Sequence, residues 1–295
     1  MSRRKPHRLL TECAEGYPEA RAIIEAIANG EMPEGARCIY AGSRNQLYLF
    51  PSEYGALVVK CFCRPNVVNS VAYTTLRRSK ACRSFLNSQA LQHLGIDVPA
   101  PLAYAEERRG IRLGRSWYLS KAVAGDTIRF YEMRPDCDPM LRALALSMLR
   151  MHLSGVLHKD FSPGNAIVHR KEDGDYLINY VDLNRMAWDV TDHAKQMRMF
   201  ERINYSEMHT RRLARAYARL LPRPVRTYAD LNLIDYSQLF GSRRDILQGL
   251  YPMLRNDALI RRGERYIETE AVKAFRRFWH SRHRKKRLTH PFRKN

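Results

Sequence analysis

His152-Leu153-Ser154-Gly155-Val156-Leu157-His158-Lys159-Asp160-Phe161-Ser162-Pro163-Gly164-Asn165 is the stretch on which the reading of this chain turns. It opens at the end of a helical pattern, because Leu141, Leu144, Ala145, Met148, Leu149 and His152 recur at i, i+3, i+4 and i+7 spacing. Asp138 reads as the N-cap of that helix, Pro139 takes the first helical position, and Gly155 stops it. The loop that follows carries Asp160 and Asn165 five residues apart, with the turn signal Ser162-Pro163-Gly164 between them. An Asp and an Asn so spaced can converge on one phosphoryl-transfer site. The carboxylate accepts the proton of an attacking hydroxyl, and the amide oxygen ligates Mg²⁺.

Working outward, residues 176–181 read as a strand entered from the turn at 172–175, and the strand delivers Asp182 at its end. Upstream, Val58-Val59-Lys60 places a Lys within a strand, where a charge is costly unless it meets a partner such as phosphate. Residues 17–29 have the pattern of an amphipathic helix between Pro18 and Gly30. Three strands at hairpin spacing follow, over 36–41, 46–50 and 56–62, and imply an antiparallel sheet. Helical signals cover 66–94, two more strands are expected at 102–106 and 116–120, and from Asp138 onward the pattern is mostly helical. A small sheet followed by a helical region predicts an α+β fold with a boundary near 121–126. The expected parts are an N-lobe over 1–121, a catalytic C-lobe over 122–274 and a basic tail over 275–295.

Taken together, His158-Lys159-Asp160 through Asn165 resembles the catalytic loop of the protein-kinase-like superfamily, Asp182-Leu183-Asn184 its metal-binding D-F-G, and Val58-Val59-Lys60 its V-A-I-K. Finer features are Val181-Asp182-Leu183-Asn184-Arg185 and the run from Ser79 to Phe85 that leads to Leu94-Gly95-Ile96-Asp97-Val98-Pro99. With these the chain resembles bacterial lipopolysaccharide inner-core kinases, the Kdo/heptose kinase family, over Ile39 to Tyr217. The resemblance implies a bilobal kinase-like fold, Mg²⁺ and ATP as cofactors, and a sugar hydroxyl of a glycolipid as acceptor. It makes Asp160 the catalytic base, Asn165 and Asp182 the Mg²⁺ ligands, and Lys60 the holder of the α- and β-phosphates. It makes Tyr118 to Ala122, Ser120 and Ala122 included, the linker whose backbone meets adenine. His158 becomes a structural member of the catalytic loop, and Lys159 stabilises charge on the transferred group.

Two features depart from the superfamily pattern. The turn expected to cover the phosphates has one glycine, Gly42, so that Arg44 or Asn45 supplies side-chain contacts in place of backbone approach. No Asp or Glu occurs between Glu53 and Asp97, so the helix carboxylate expected to hold Lys60 is missing; Leu86 or Gln89 stands at its place. Two other functions therefore stay open on the residues alone: a protein kinase acting on Ser, Thr or Tyr, and a non-catalytic binding module.

The bulk properties fit a globular protein with a positive surface. Lys and Arg total 51 against 30 Asp and Glu, a formal charge of +21 that raises affinity for polyanions without choosing among them. The six cysteines form no paired C-x-x-C set, which points to thiols in a reducing compartment, and the Cys61/Cys63 alternation is expected to place both in the core. No signal peptide or spanning run is legible, so a cytoplasmic protein is expected, able to touch a membrane surface without crossing it; the resemblance to glycolipid kinases makes that surface the inner face of the inner membrane. Residues 276–294 carry basic residues and no acid, beside Phe275, Phe278 and Trp279. That segment reads as a solvated, partly frayed tail or as a contact for an anionic membrane. Nucleic acid is not an expected partner, since no motif supports base readout. Arg211, Arg212, Arg215 and Arg219 are expected to extend the positive face.

Overall fold

The computed structural model describes residues 8–66, 70, 72–73, 77–132, 134, 137–203, 206–221 and 257–289, with the backbone alone for 132, 193, 257–264 and 283–289. The chain divides into two compact units, one of residues up to 124 together with 179–185, the other of 125–178 together with 186 onward.

The first unit is built on a six-stranded antiparallel sheet of order β1-β5-β6-β4-β3-β2. The strands are β1 (Arg8–Cys13), β2 (Arg37–Ala41), β3 (Asn45–Phe50), β4 (Leu57–Phe62), β5 (Pro101–Arg109) and β6 (Arg112–Lys121). Helix α1 (Ala20–Asn29) lays Ala20, Ile24, Ile27 and Ala28 on the sheet and ends at Gly30. Gly30 is left-handed at φ 101°, and its N–H meets the Ala26 and Ile27 carbonyls, which is how a terminal glycine satisfies the last turn. The core beneath α1 holds Phe50, Leu57, Val59, Leu102, Ala105, Trp117 and Leu119. Helix α2 (Lys80–His93) starts from Ser79, whose Oγ accepts the Cys82 N–H at 3.0 Å.

Strand β1 has no counterpart among the sequence-based expectations. Its six residues, Arg8-Leu9-Leu10-Thr11-Glu12-Cys13, do not alternate strictly between apolar and polar, and its pairing partner, β5, lies about ninety to a hundred positions away. Of the helical signal over 66–94, the part over Lys80–His93 is α2, whereas 77–79 are not helical; positions 67–69, 71 and 74–76 lie outside the described residues. Cys61 packs against the core, where burial pushes its thiol up to about 12. Cys63, expected beside it in the core, is exposed, because β4 ends at Phe62 and the alternation ends with it.

The second unit contains β7 (Asp126–Thr127), β8 (Leu157–His158), β9 (Ala166–Arg170), β10 (Tyr176–Tyr180) and β11 (Met186–Ala187). These form a three-stranded sheet of order β10-β9-β7 and a pair β11-β8; the last two residues of β10 carry the chain into the first unit. Gly125, at φ +115°, lies so close to the Val168 carbonyl that a Cβ there would overlap it, and this lets β7 draw up to β9. The helices are α3 (Ile128–Glu132), α4 (Asp138–Leu153), α5 (His193–Gln196), α6 (Glu207–Arg219) and α7 (Asp257–Thr289). Helix α4 buries the apolar face read from its sequence, His152 included, whose Nδ1 lies 2.9 Å from the Tyr217 hydroxyl. Its N-cap is Cys137 rather than Asp138; Asp138 sits in the first turn, where its charge suits the helix dipole, and pairs with Arg212 at 2.7 Å.

Two expectations about the basic residues are corrected. Residues 275–289 are not a frayed tail but the end of the 33-residue helix α7; residues 290–295 lie outside the described ones. Ala271, Ala274 and Phe275 are buried, and α7 packs along α6. Nor do Arg211 and Arg215 simply extend a positive face. Both grip the nearly buried Glu268 of α7, at 2.6 and 2.7 Å, while Arg276 of α7 reaches back to Glu207 of α6 at 2.8 Å. Ion pairs thus run in both directions between the two helices and spend part of the cationic excess internally. Among the described residues no helix is long and apolar enough to cross a membrane.

Candidate active site

In the first unit, β4 places Lys60 between Leu47 of β3 and Tyr118 of β6. The side chain is largely buried and ion-pairs with Asp182. The partner that seemed to be missing is therefore supplied by the segment after β10, 122 residues downstream, and not by the helix. The absence of a helix carboxylate therefore does not leave Lys60 without an anion. A partly buried cation must find an anion or shed its proton, and with no acid between positions 53 and 97 Asp182 is the carboxylate that meets it.

Asp182 is itself over-determined. It occupies the left-handed region at φ 60°, uncommon for a residue with a side chain, and its Oδ1 accepts the Asn184 amide N–H at 2.6 Å. The next residue is held from α2, where the Asn87 amide donates to the Leu183 carbonyl at 2.6 Å. Helix α2 thus positions the Asp182 segment with an amide, in the region where a carboxylate was sought. Asn87 and Asn184 were not singled out from the sequence; a polar residue in the window 82–92 was the available signal for the first.

Lys80, also not anticipated, opens α2 on the same side. The Lys60 and Lys80 ammonium groups lie 5.3 and 5.9 Å from the centre of one ring, Phe62. Burial, then the positive charge of Arg44, holds Lys80 below the usual lysine range, with Lys60 and Arg83 adding to the effect and Asp182 opposing it. Arg44, Lys60 and Arg83 thus act on Lys80, and the two lysines act on Asp182. Arg44 itself is exposed, in the turn between β2 and β3. That turn is closed by Gly42 N–H to the Asn45 carbonyl at 3.0 Å, and Arg44's carbonyl accepts the Cys63 N–H at 3.1 Å. A Cβ at Gly42 would lie 2.7 Å from the ring of Tyr40, an exposed side chain that would have to move aside. At the far end of β6, Ser120 is buried opposite Val58 and Pro101, and Ala122 donates its N–H to the Ala56 carbonyl at 2.8 Å. The Tyr118 hydroxyl lies 2.8 Å from Ser88 Oγ of α2, and burial raises the phenol to about 12.

In the second unit, the loop after β8 holds the other residues. His158 is buried, and its Nδ1 accepts the Asp160 backbone N–H at 3.2 Å, so this nitrogen carries no proton; the ring acts as a brace, as a structural member of the loop should. The Asn165 amide donates to the Asp160 carbonyl at 2.8 Å, closing the five-residue loop through a 3-10 turn at Pro163–Asn165. Lys159 is exposed. Asp160 is partly exposed and ion-pairs with Arg202 at 2.7 Å. Arg202 lies 42 positions downstream, in a stretch without a motif, and sequence reasoning missed it.

The donor chemistry fits the expected ligands. Asp182 and Asn165 offer a carboxylate and an amide oxygen, the hard donors Mg²⁺ takes. The Asn165 amide uses its nitrogen on the Asp160 carbonyl, so its oxygen is the atom that a cation would take. The cations Arg44, Lys60, Lys80 and Arg83 suit a polyphosphate.

The family profile described as "Lipopolysaccharide kinase (Kdo/WaaP) family" matches residues 64–222, more than half of the chain. The chain belongs to this family. A 3-deoxy-D-manno-octulosonic acid kinase of Vibrio cholerae serotype O1 is 24% identical over 132 residues, 44% of this chain and 54% of that protein, so the match spans about half the length of the curated relative. Among solved structures, WaaP in complex with acyl carrier protein is similar at 18% identity, covering 83% of this chain and 99% of that one, with a TM-score of 0.49. The Rio2 kinase from Chaetomium thermophilum, in its ADP/Mg²⁺-phosphoaspartate complex, is similar at 15% identity over 90% of this chain and 77% of that one, with a TM-score of 0.42.

Proposed function

We infer that this protein is an ATP-dependent kinase that phosphorylates a sugar hydroxyl of the lipopolysaccharide inner core. Membership of the lipopolysaccharide kinase family supports this reading, as does the similarity to a 3-deoxy-D-manno-octulosonic acid kinase. The single observation in the structure that carries it is the Lys60–Asp182 pair with its surrounding cations. A carboxylate held in a left-handed backbone, paired with one lysine and within electrostatic reach of a second, is an expensive arrangement for stability alone.

In the proposed roles, Lys60, Lys80 and Arg44 bind and orient the phosphates of ATP, and Asp182 and Asn165 hold Mg²⁺. Bound Mg·ATP supplies the γ-phosphoryl group and neutralises charge on its oxygens. Asp160 accepts the acceptor hydroxyl's proton as the new oxygen–phosphorus bond forms and the bond to ADP breaks. Lys159 is the further cation on this loop and belongs beside the transferred group. Ser120 and Ala122 meet adenine, and Gly42 and Asn45 shape the turn over the phosphates. The protein does little covalent chemistry, so rate comes from positioning and charge. An anionic acceptor at the inner face of the membrane suits the positive surface.

The test incubates purified protein with ATP labelled at the γ-phosphate, Mg²⁺ and extracted glycolipid, and identifies the product. Label on a core sugar, lost in Asp160→Asn, is the expected result. Label on protein instead would replace the sugar-kinase reading with a protein kinase, and ATP binding without transfer to any acceptor would replace it with a binding module.

A further inference from the structure

Arg202 is used by neither of the motif-based roles, yet it makes three contacts within the second unit. It follows the 3-10 turn Met197–Glu201 and precedes the fully buried Ile203, so its backbone is anchored on both sides. Its Nη1 lies 2.7 Å from Asp160 Oδ1, and its Nη2 donates to the Lys159 carbonyl at 2.9 Å. One guanidinium therefore grips the side chain of Asp160 and the backbone just before it. A planar fork with two fixed nitrogens sets the orientation of a carboxylate in a way that a single ammonium cannot.

The third contact reaches the C-terminal helix. The guanidinium carbon lies 5.5 Å from the centre of the Phe278 ring. Phe278 is half-buried, and its ring meets Trp279 edge-on at 6.1 Å. Helix α7 is fixed along α6 by Glu268 with Arg211 and Arg215, and by Arg276 with Glu207, two positions before Phe278. It also packs against the 3-10 turn that carries Arg202. The ring is thus delivered from a helix that is clamped nearby.

We propose that Arg202 is the positioning residue of Asp160 and that Phe278 fixes Arg202, so that the C-terminal basic helix is a working part of the phosphoryl-transfer machinery. The proposal rests on the kinase reading above and adds to it a role for a helix that lies outside the matched family region. In chemical terms Arg202 does not touch substrate. It holds one carboxylate oxygen and the carbonyl just before it, so that the hydroxyl proton has a fixed acceptor. A surface salt bridge with no function would make the same contact with Asp160, and the experiment has to separate the two.

The full chain is assayed for phosphoryl transfer to extracted glycolipid as wild type, Arg202→Lys, Arg202→Ala, Phe278→Leu and the Arg202→Ala/Phe278→Leu double variant. Loss of Arg202 is expected to lower kcat by about 10²-fold, as misplacement of a reacting group does, with the KM for ATP within about twofold of wild type. Arg202→Lys, which keeps the charge and gives the variant best able to fold, should recover little of the loss. Added guanidinium ion should restore part of the kcat of Arg202→Ala and none in Asp160→Asn. Phe278→Leu should cost roughly threefold or more in kcat with Arg202 present and nothing further in the Arg202→Ala background. Wild-type kcat in Arg202→Ala, full recovery by Lys, or an equal Phe278 effect in both backgrounds would overturn the proposal while leaving the kinase reading intact. Absence of transfer by the wild type would sink both.

Discussion

Replacing Lys60 with Met removes the ammonium and keeps most of the stem, and it should separate the two roles that the Lys60–Asp182 pair combines. The Lys60 side chain is 12% exposed and that of Asp182 29%, so the pair lies between a surface bridge and a fully buried one. Surface pairs contribute roughly 0–1 kcal/mol, whereas stranding one partner of a buried pair costs about 3–5 kcal/mol. After the change Asp182 keeps its hydrogen bond from Asn184 and the nearby charge of Lys80, and the repulsion between the two lysines is relieved. A stability loss of about 1–2 kcal/mol is therefore expected. The catalytic effect should be larger. Losing a charge-assisted bond to a phosphate costs about 1.5–3 kcal/mol, which corresponds to a fall of roughly 10- to 150-fold in kcat/KM for ATP. Urea unfolding followed by circular dichroism reads the first quantity, and transfer of labelled phosphate to glycolipid reads the second. Unchanged turnover alongside reduced stability would show that Lys60 is a structural partner of Asp182 and nothing more. Unchanged stability would show that the pair is not formed in solution.

Other expectations follow from the same geometry. Lys80→Met should weaken nucleotide binding about tenfold while leaving thermal stability equal to or above wild type, because a half-buried cation among like charges is removed; weaker stability with unchanged nucleotide affinity would contradict this. Glu207 is held down to about 2 by hydrogen bonds from Arg276 and Arg211, against an ordinary value of 4.5. A depressed carboxylate stabilises the fold above its unfolded value and loses that contribution as pH falls through the folded one. The stability deficit of Glu207→Gln should accordingly be full above pH 4.5, shrink below it and vanish toward pH 2; a deficit constant from pH 6 to pH 3 in thermal melts would count against the α6–α7 clamp.

What was legible from sequence follows physical range. The loop from His158 to Asn165 could be read because its hydrogen bonds are local: His158 and Asn165 both close on the backbone of Asp160. Helices α1 and α4 could be read because their apolar spacing, prolines and terminal glycines are themselves local signals. The partner of Lys60 could not, because Asp182 is 122 positions away and nothing local to either residue announces the other. Charge surplus was visible in bulk but not in its use. Nothing in the spacing of Arg211, Arg215 and Arg276 announces Glu268 and Glu207 as their partners, and so a clamped helix read as a solvated tail. Arg202 is the same case within the catalytic loop's own surroundings: a long-range contact from a stretch with no pattern.

The central proposal is that Asn165 and Asp182 hold one Mg²⁺ on one nucleotide. Its most direct measurement is a calorimetric titration of a non-hydrolysable ATP analogue, with and without Mg²⁺, into wild type, Asn165→Ala, Asp182→Ala and the double variant. The expected result is that each single change removes the Mg²⁺ dependence of binding and that the double variant is weaker than either by less than the sum of the two, with a coupling of about 1 kcal/mol or more. Wild-type Mg²⁺ dependence in either single variant, or strictly additive losses, would contradict it.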